Sequence, residues 1–170
     1  MAGTNFEREL KGILHGDRKI LDRVVKGCSP KERENYLSIE SHPFMVVRAA
    51  GSFGVDLVAI RSDFALPIEV KSSSSKKVTF SHSSGKAQEQ AERMKAECQR
   101  AGVIPIYAFR LKGYRGDAWR IFALDVEGID GVAGLLYERI PRVHITSHGG
   151  YVLKWDEGMK LSDLLGLLSM

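Results

Sequence analysis

Two carboxylates and a lysine lie where the pattern of apolar residues predicts buried β-strands. Asp56 lies within residues 55–60 (VDLVAI), and Glu69 and Lys71 lie within residues 66–71 (LPIEVK). An aspartate is disfavoured in a strand and costs free energy when it is buried without a partner. Polar residues that break a strand rule in this way are typical of functional sites.

The two strands are separated by the short segment RSDFA, which predicts an antiparallel hairpin. Side chains alternate along a strand, so we expect Glu69 and Lys71 on one face, toward a cleft or solvent. Ile68 and Val70 would then point to the other face, toward the core. In such a hairpin Asp56 can lie across from Glu69, within reach of its side chain.

This arrangement would suit a metal ion. Two carboxylates brought together repel each other unless a cation lies between them or one of them is protonated. Oxygen ligands favour a hard ion such as Mg²⁺, for which Mn²⁺ can substitute. A lysine beside the ion could orient or activate a water for in-line attack on phosphate. The spacing itself is a weak pattern, because Asp56 capping a turn and an exposed Glu69–Lys71 ion pair would also explain it.

The remaining apolar pattern predicts the elements that would position these residues. A strand before the hairpin would complete an antiparallel meander, and a long helix ended by a glycine would lead to two further strands and a last short helix. The segments are 44–50, 86–100, 103–110, 119–125 and 161–168. This order predicts an α/β fold, with a mixed β-sheet and flanking helices.

The N-terminal region is predicted to be helical. Thr4 and Glu7 have capping-box spacing at the start of a first helix, which would explain Glu7 without metal chemistry. Residues 17–41 are expected to form a small helical insert, in which Ser29 and Glu32 have the same spacing.

Length and composition limit the class of protein. The chain has 170 residues, 44% hydrophobic and 27% charged, with a formal net charge of +4, which fits one globular domain over 1–170 with a weakly patterned C-terminal segment at about 126–170. Residues 76–120 are locally basic, which suits a polyanionic partner. No stretch is apolar enough for a signal peptide or membrane span, and Cys28 and Cys98 lack metal-ligand spacing.

The motifs, taken in order, resemble a known family. ERE on the first helix, VVRAAGS, VDL and IEVK, followed by AGVIPIYAFR and WRIFALD, are similar to the archaeal Holliday junction resolvases, a branch of the PD-(D/E)xK nuclease superfamily. The similarity runs from about residue 4 to 125, and GYVLKWDEGMKLSDLLGL near the C-terminus extends it. It implies a restriction-endonuclease-like core of order α-βββ-α-ββ. It also implies a homodimer that nicks four-way DNA junctions symmetrically with Mg²⁺.

The resemblance also implies roles for individual residues. Glu7, Asp56 and Glu69 would bind the metal, Lys71 would be the catalytic lysine, and Ser52 would lie near the scissile phosphate. The compact members of the family lack the helical insert, so another acid near the N-terminus could replace Glu7. The competing acids are Glu9, Glu32 and Glu40.

Substrate contacts are expected from several basic residues. The resemblance implies that Arg8 and Arg48 handle the DNA. The loop SSSSKK could bring Lys76 and Lys77 to phosphates, or be only a solvated linker. A second basic group could form a phosphate-binding patch on a hairpin or a plain exposed turn. Its residues are Arg110, Lys112, Arg115 and Arg120.

The expected function is therefore metal-dependent cleavage of four-way DNA junctions by a homodimer. We expect no membrane partner, no organic cofactor and a cytoplasmic, nucleoid-associated location. Two alternatives remain open: a nuclease of the same superfamily acting on duplex, mismatched or flapped DNA, and a junction-binding protein without cleavage. Clustered carboxylates repel phosphate, which argues against the second alternative.

Overall fold

The computed structural model describes residues 2–49, 55–81 and 85–170. Six α-helices lie in these residues: α1 (Ala2–His15), α2 (Arg18–Val24), α3 (Pro30–Leu37), α4 (Lys86–Ala101), α5 (Gly131–Arg139) and α6 (Leu161–Leu168). Nine strands accompany them: β1 (Met45–Arg48), β2 (Leu57–Ile60), β3 (Ala65–Ser73), β4 (Lys77–Thr79), β5 (Ile106–Leu111), β6 (Trp119–Ala123), β7 (His144–Ile145), β8 (Tyr151–Lys154) and β9 (Met159–Lys160).

A six-stranded mixed sheet forms the centre of the fold, in the order β1-β2-β3-β5-β6-β9. β1, β2 and β3 make the predicted antiparallel meander. β3 and β5 are parallel, and α4 lies between them in the chain. β6 and β9 continue the sheet in antiparallel fashion. The predicted mixed sheet with flanking helices is confirmed.

Apolar side chains cover both faces of this sheet. On β5, Ile106 and Ala108 belong to the apolar cluster that packs under α1, α2, α3 and α6. Tyr107 and Phe109, which alternate with them, belong to a second cluster formed with α4 and the C-terminal strands. β5 and the neighbouring β6 are therefore buried on both faces along almost their whole length, as is usual for strands in the middle of a sheet covered by helices.

The predicted helical insert is present as α2 and α3, followed by a short 3₁₀ turn at Ser38–Ser41. Ser29 and Glu32 form the predicted capping box, with the Glu32 N–H donating to Ser29 Oγ at 3.2 Å and the Ser29 N–H donating to Glu32 Oε1 at 2.8 Å. The other predicted box is wrong, because α1 begins at Ala2 and Thr4 therefore lies within the helix. Leu21 and Tyr36 anchor the insert in the first apolar cluster.

The C-terminal segment is more ordered than its weak pattern predicted. It contributes α5 and most of a second sheet, in which the strand order is β4-β8-β7. β4 lies inside the serine-rich stretch after β3 and pairs with β8. Among the described residues, no helix has the length and apolarity needed to cross a membrane.

Candidate active site

Asp56 lies immediately before β2, at the point where the meander brings it beside β3. Its backbone N–H donates to the Ile68 carbonyl, and its carbonyl accepts from the Ala49 N–H, each at 2.9 Å. Its side chain accepts a hydrogen bond at Oδ2 from the Val70 N–H at 2.8 Å. Asp56 thus continues the pairing of β2 with β3 and lies beside Glu69, as the predicted hairpin required.

Glu69 is buried, with 3% of its surface exposed. We predicted that its face of β3 would be open to a cleft or solvent, and for Glu69 this is wrong. The alternation is as expected, but α4 and the second apolar cluster cover that face, where Glu69 lies opposite Tyr107 in register. Alternation along a strand shows which side chains share a face but not what covers it.

Burial leaves Glu69 short of partners. Its Oε2 atom is buried and has no hydrogen-bond partner. Burial, then a hydrogen bond to the Asp56 carboxylate and the charge of Asp56, raises the pKa of Glu69 to about 9. Lys71 lowers this pKa and Glu7 raises it further, each by its charge. Two carboxylates therefore lie together with too little positive charge, an arrangement that a divalent cation would relieve.

Lys71 lies two residues after Glu69 on the same face and is half-buried. Its Nζ atom lies 5.8 Å from the ring centre of Phe80, over the face of the ring. Phe80 is itself buried and packs against Tyr107, with ring centres 5.1 Å apart, and against Tyr151 at 6.0 Å. An aromatic wall thus limits where the lysine side chain can go.

Phe80 is a part of the site that we did not predict from the sequence. It lies just after β4, three residues beyond the SSSSKK loop. The signal was present, because Val78 and Phe80 alternate with polar residues as in a half-buried strand. The serine run before them concealed it.

Glu7 on α1 is close enough to the carboxylate pair for its charge to act on Glu69. Its Oε2 atom accepts a hydrogen bond from Arg48 at 3.0 Å, and Glu7 is among the charges that act on Glu69. The competing acids are held elsewhere. Glu9 accepts from Arg110 and Trp119, and Glu32 and Glu40 pair with Lys160 and Arg18.

The predicted metal ligands are only partly assembled. Within the described residues, no group of three or more His, Cys, Asp or Glu side chains is arranged to hold a metal ion. Asp56 and Glu69 are neighbours, whereas Glu7 is paired with Arg48. The donors nevertheless fit a hard cation, because all are carboxylate oxygens and Glu69 Oε2 is buried without a partner.

The other predicted site residues differ in their surroundings. Arg8 is exposed on α1. Lys76 forms an ion pair with Asp156 at 3.2 Å and lies over the Trp155 ring, whereas Lys77 is exposed on β4. Ser52 lies outside the described residues.

The predicted basic patch on the β5–β6 hairpin does not form as one surface. Arg120 is buried, with its guanidinium 3.7 Å from the ring centre of Trp155. Arg110 donates to Glu9 at 2.7 Å. Lys112 and Arg115 remain exposed near the tip. The patch prediction is therefore wrong for Arg120, because its alternation on β6 places it in the second apolar cluster.

The family of the chain follows from a comparison with models of known protein families. The family model described as archaeal Holliday junction resolvase (Hjc) matches residues 22–169. The chain belongs to that family. The match begins after α1, so it includes Arg48, Asp56, Glu69 and Lys71 but not Glu7.

A solved structure agrees with the resolvase fold. The structure of Hjc from Archaeoglobus fulgidus, titled a Holliday junction resolvase from an archaeal hyperthermophile, aligns with a TM-score of 0.54 and 18% identity. The alignment covers 98% of this chain and 97% of that one. At this identity the likeness concerns the fold alone. The search of curated proteins found no match for the chain.

Proposed function

We propose that this member of the resolvase family resolves four-way DNA junctions by paired, divalent-metal-dependent hydrolysis of phosphodiester bonds. Mg²⁺ would be the physiological ion and Mn²⁺ a substitute. Asp56 and Glu69 would be the principal ligands, with Glu7 completing the site. The observation that carries this assignment is the buried, unpaired Oε2 atom of Glu69 beside the Asp56 carboxyl.

The cation, Asp56 and Lys71 would have different roles at the scissile phosphate. A divalent cation, when bound, would polarise the phosphate as a Lewis acid. Asp56 is held in place by the Val70 N–H, so its carboxylate needs no reorganisation to bind. The Lys71 ammonium, held against Phe80, can orient the attacking water or stabilise negative charge that develops on a phosphate oxygen.

Arg48 and Glu7 form the edge of the site toward solvent. The arginine side chain is 42% exposed, whereas that of the glutamate is 18% exposed. Arg48 can therefore turn to a DNA phosphate and release Glu7 toward the metal. Arginine suits this exchange because its guanidinium matches the geometry of both carboxylate and phosphate.

Resolution requires two cuts in strands of like polarity, which favours two equivalent active sites. A homodimer with two-fold symmetry would present them to a pseudo-two-fold junction. The substrate is chromosomal DNA, so we also expect association with the nucleoid.

Cleavage of a labelled four-way junction against a linear duplex of the same sequence tests the proposal, with Mg²⁺ titrated from zero. The wild-type chain should nick opposed strands of the junction and leave the duplex intact. Asp56→Asn keeps the hydrogen bond from Val70 and removes the charge, so it should slow cleavage by about 1,000-fold or more while junction binding persists. Lys71→Ala should also be severely impaired.

Asp22→Asn is the matched control, because Asp22 is an exposed acid on α2. It should cut at the wild-type rate. Rapid cleavage by Asp56→Asn, or cleavage in excess chelator, would contradict the assigned site. Equal cleavage of duplex and junction would instead indicate a nuclease of broader substrate range, and binding without any product would indicate a junction-binding protein.

A further inference from the structure

A cavity of about 300 Å³ lies where the α2–α3 loop meets the β5–β6 hairpin, with Glu9 of α1 in its lining. We call it the basic cleft. Its charged lining residues are Glu9, Arg23, Lys26, Arg110 and Arg115. None of these residues has a role in the cleavage chemistry described above.

The cleft has an excess of positive charge. Its single acid, Glu9, is already bonded to Arg110, with Nε and Oε1 2.7 Å apart. Arg23, Lys26 and Arg115 are exposed, and in the described parts of the chain none of them pairs its side chain with a carboxylate. Three cations at one concave surface repel each other unless an anion is present, and such a surface attracts a polyanion.

The loops that carry Lys26 and Arg115 approach each other closely at two glycines. Gly27 and Gly116 have φ angles of +83° and +114°, which side-chain-bearing residues rarely adopt. A Cβ atom on Gly27 would lie 3.2 Å from Gly116 N, and one on Gly116 would lie 3.1 Å from Gly27 O. The backbones thus touch at the residues next to Lys26 and Arg115, so the approach of these two cations is built into the fold.

The floor of the cleft is equally well fixed. The Arg110 guanidinium lies 4.5 Å from the ring centre of Phe6, and Trp119 Nε1 donates to Glu9 Oε1 at 2.8 Å. These contacts join α1 to β5 and β6 below the exposed cations. The floor of the cleft is therefore held by contacts between α1, β5 and β6, and the cations lie at its surface.

The position of the cleft connects it with the active site. Arg110 lies opposite Ser72 in the sheet, one residue beyond the pairing of Lys71 with Phe109, but its side chain is on the other face. On α1, Glu9 faces the cleft, and Glu7, two residues earlier and so on a different side of the helix, faces the carboxylates. DNA that passes around this end of the sheet would meet both surfaces.

We propose that the basic cleft binds the phosphodiester backbone of one junction arm through Arg23, Lys26 and Arg115. This inference rests on the proposed function for its substrate. It gives the helical insert a purpose: α2 and its following loop supply two of the three phosphate-binding side chains. The cleft contributes affinity for the arm, independently of its sequence, and takes no part in bond cleavage.

The test compares two variants of the full chain that lose the same charge. The cleft variant is Arg23→Gln with Lys26→Gln and Arg115→Gln. The control variant is Lys31→Gln with Arg100→Gln and Arg139→Gln, three exposed residues outside the cleft. Binding of a fluorescent four-way junction is measured in chelator between about 50 and 200 mM salt, and the slope of log affinity against log salt is determined.

Each phosphate contact contributes about 0.9 to this slope, so the cleft variant should lower it by about 2 to 3 and the control by less than 1. Single-turnover cleavage at saturating protein should be unchanged in both variants. Equal slopes for the two variants would overturn the proposal, as would a cleavage defect of the cleft variant that saturation does not restore. If the wild-type chain cuts no junction, the proposed function fails while the slopes still report on the cleft.

Discussion

Two regions of the molecule, the carboxylate pair at β2 and β3 and the basic cleft, carry opposite imbalances of charge. In the first region, Asp56 and Glu69 are carboxylates with too little positive charge, and Glu69 is almost wholly buried. In the second region, Arg23, Lys26 and Arg115 are cations without acidic partners among the described residues, and all three are exposed.

The two groups of charges differ in how strongly they interact with an ion or DNA, because one is buried and the other is exposed. A desolvated carboxylate pair interacts strongly with a cation placed beside it, because little water screens the interaction. Exposed cations interact weakly one by one and respond to salt, so they add affinity for a polyanion but cannot drive a chemical step. We therefore assign catalysis to the buried carboxylate pair and binding of the DNA backbone to the exposed cations of the basic cleft.

The two acids of α1, Glu7 and Glu9, should have different effects when each is changed alone. Glu7→Ala removes a group that faces the carboxylate pair, and we expect cleavage to fall on the order of 100-fold. Its pair with Arg48 is partly exposed, so the free energy of unfolding should fall by less than about 1 kcal/mol. Single-turnover cleavage and urea unfolding measure the two effects.

Glu9→Ala is the matched variant and should do the reverse. It leaves Arg110 and the buried Trp119 indole N–H without their acceptor, which should cost about 2–4 kcal/mol of stability. Cleavage by the folded variant should remain within a few-fold of wild type. If Glu9→Ala lost cleavage and Glu7→Ala kept it, Glu9 would be the N-terminal acid of the site.

The meander and the charged residues on it were predictable because they follow local rules. Alternation in LPIEVK placed Glu69 and Lys71 together, and the short connection to VDLVAI placed Asp56 beside them. Spacing alone did not distinguish this from an exposed ion pair. The ERE and VVRAAGS motifs made the interpretation specific, and the family match over residues 22–169 confirms the family.

What remained unpredicted depends on contacts between distant parts of the chain. The burial of Glu69 follows from α4 and the second apolar cluster, which the β3 sequence does not encode. β7 and β9 are two residues long, too short for any period to be seen. The basic cleft brings a loop after α2 to the tip of the β5–β6 hairpin. These segments are distant in the chain, and their contact at Gly27 and Gly116 follows from the tertiary fold.

The buried carboxylate pair should also make the free energy of unfolding depend on pH. The pKa of Glu69 is raised from its ordinary value of 4.5 to about 9, so the folded chain binds more protons than the unfolded chain between these values. The contribution of Glu69 to the free energy of unfolding is therefore most favourable below about pH 4.5, and it is lost as the pH rises from 4.5 toward 9. Glu69→Gln cannot ionise, and in chelator it should be more stable than wild type by on the order of 1–3 kcal/mol at pH 9.

Thermal unfolding of both chains across this pH range, with chelator present, measures the difference. Glu34→Gln, a change at an exposed glutamate of α3, should show no growing difference from wild type. Added Mg²⁺ should stabilise the wild-type chain more than Glu69→Gln, because bound metal stabilises only the folded state that holds its ligands. A Glu69→Gln advantage that did not grow with pH would contradict the strained carboxylate pair.

The smallest effect we predict concerns the aromatic wall beside Lys71. Phe80→Leu keeps an apolar side chain and removes the ring face that the ammonium lies over. A cation–π contact of this kind is worth about 0.5–1 kcal/mol, so single-turnover cleavage at saturating Mg²⁺ and junction should slow by about two- to fivefold. Junction affinity should not change, since Phe80 is buried and offers no group that binds phosphate.

Phe122→Leu provides the comparison that separates positioning from packing. Phe122 is a buried phenylalanine of the same apolar cluster, on β6 opposite Tyr107, and it has no cation–π contact with Lys71. Both leucine variants should lose similar stability, but only Phe80→Leu should lose cleavage rate, and Phe80→Tyr, which keeps a ring face, should recover it. Equal slowing by both leucine variants would assign the effect to the core and leave Lys71 positioned by its strand alone.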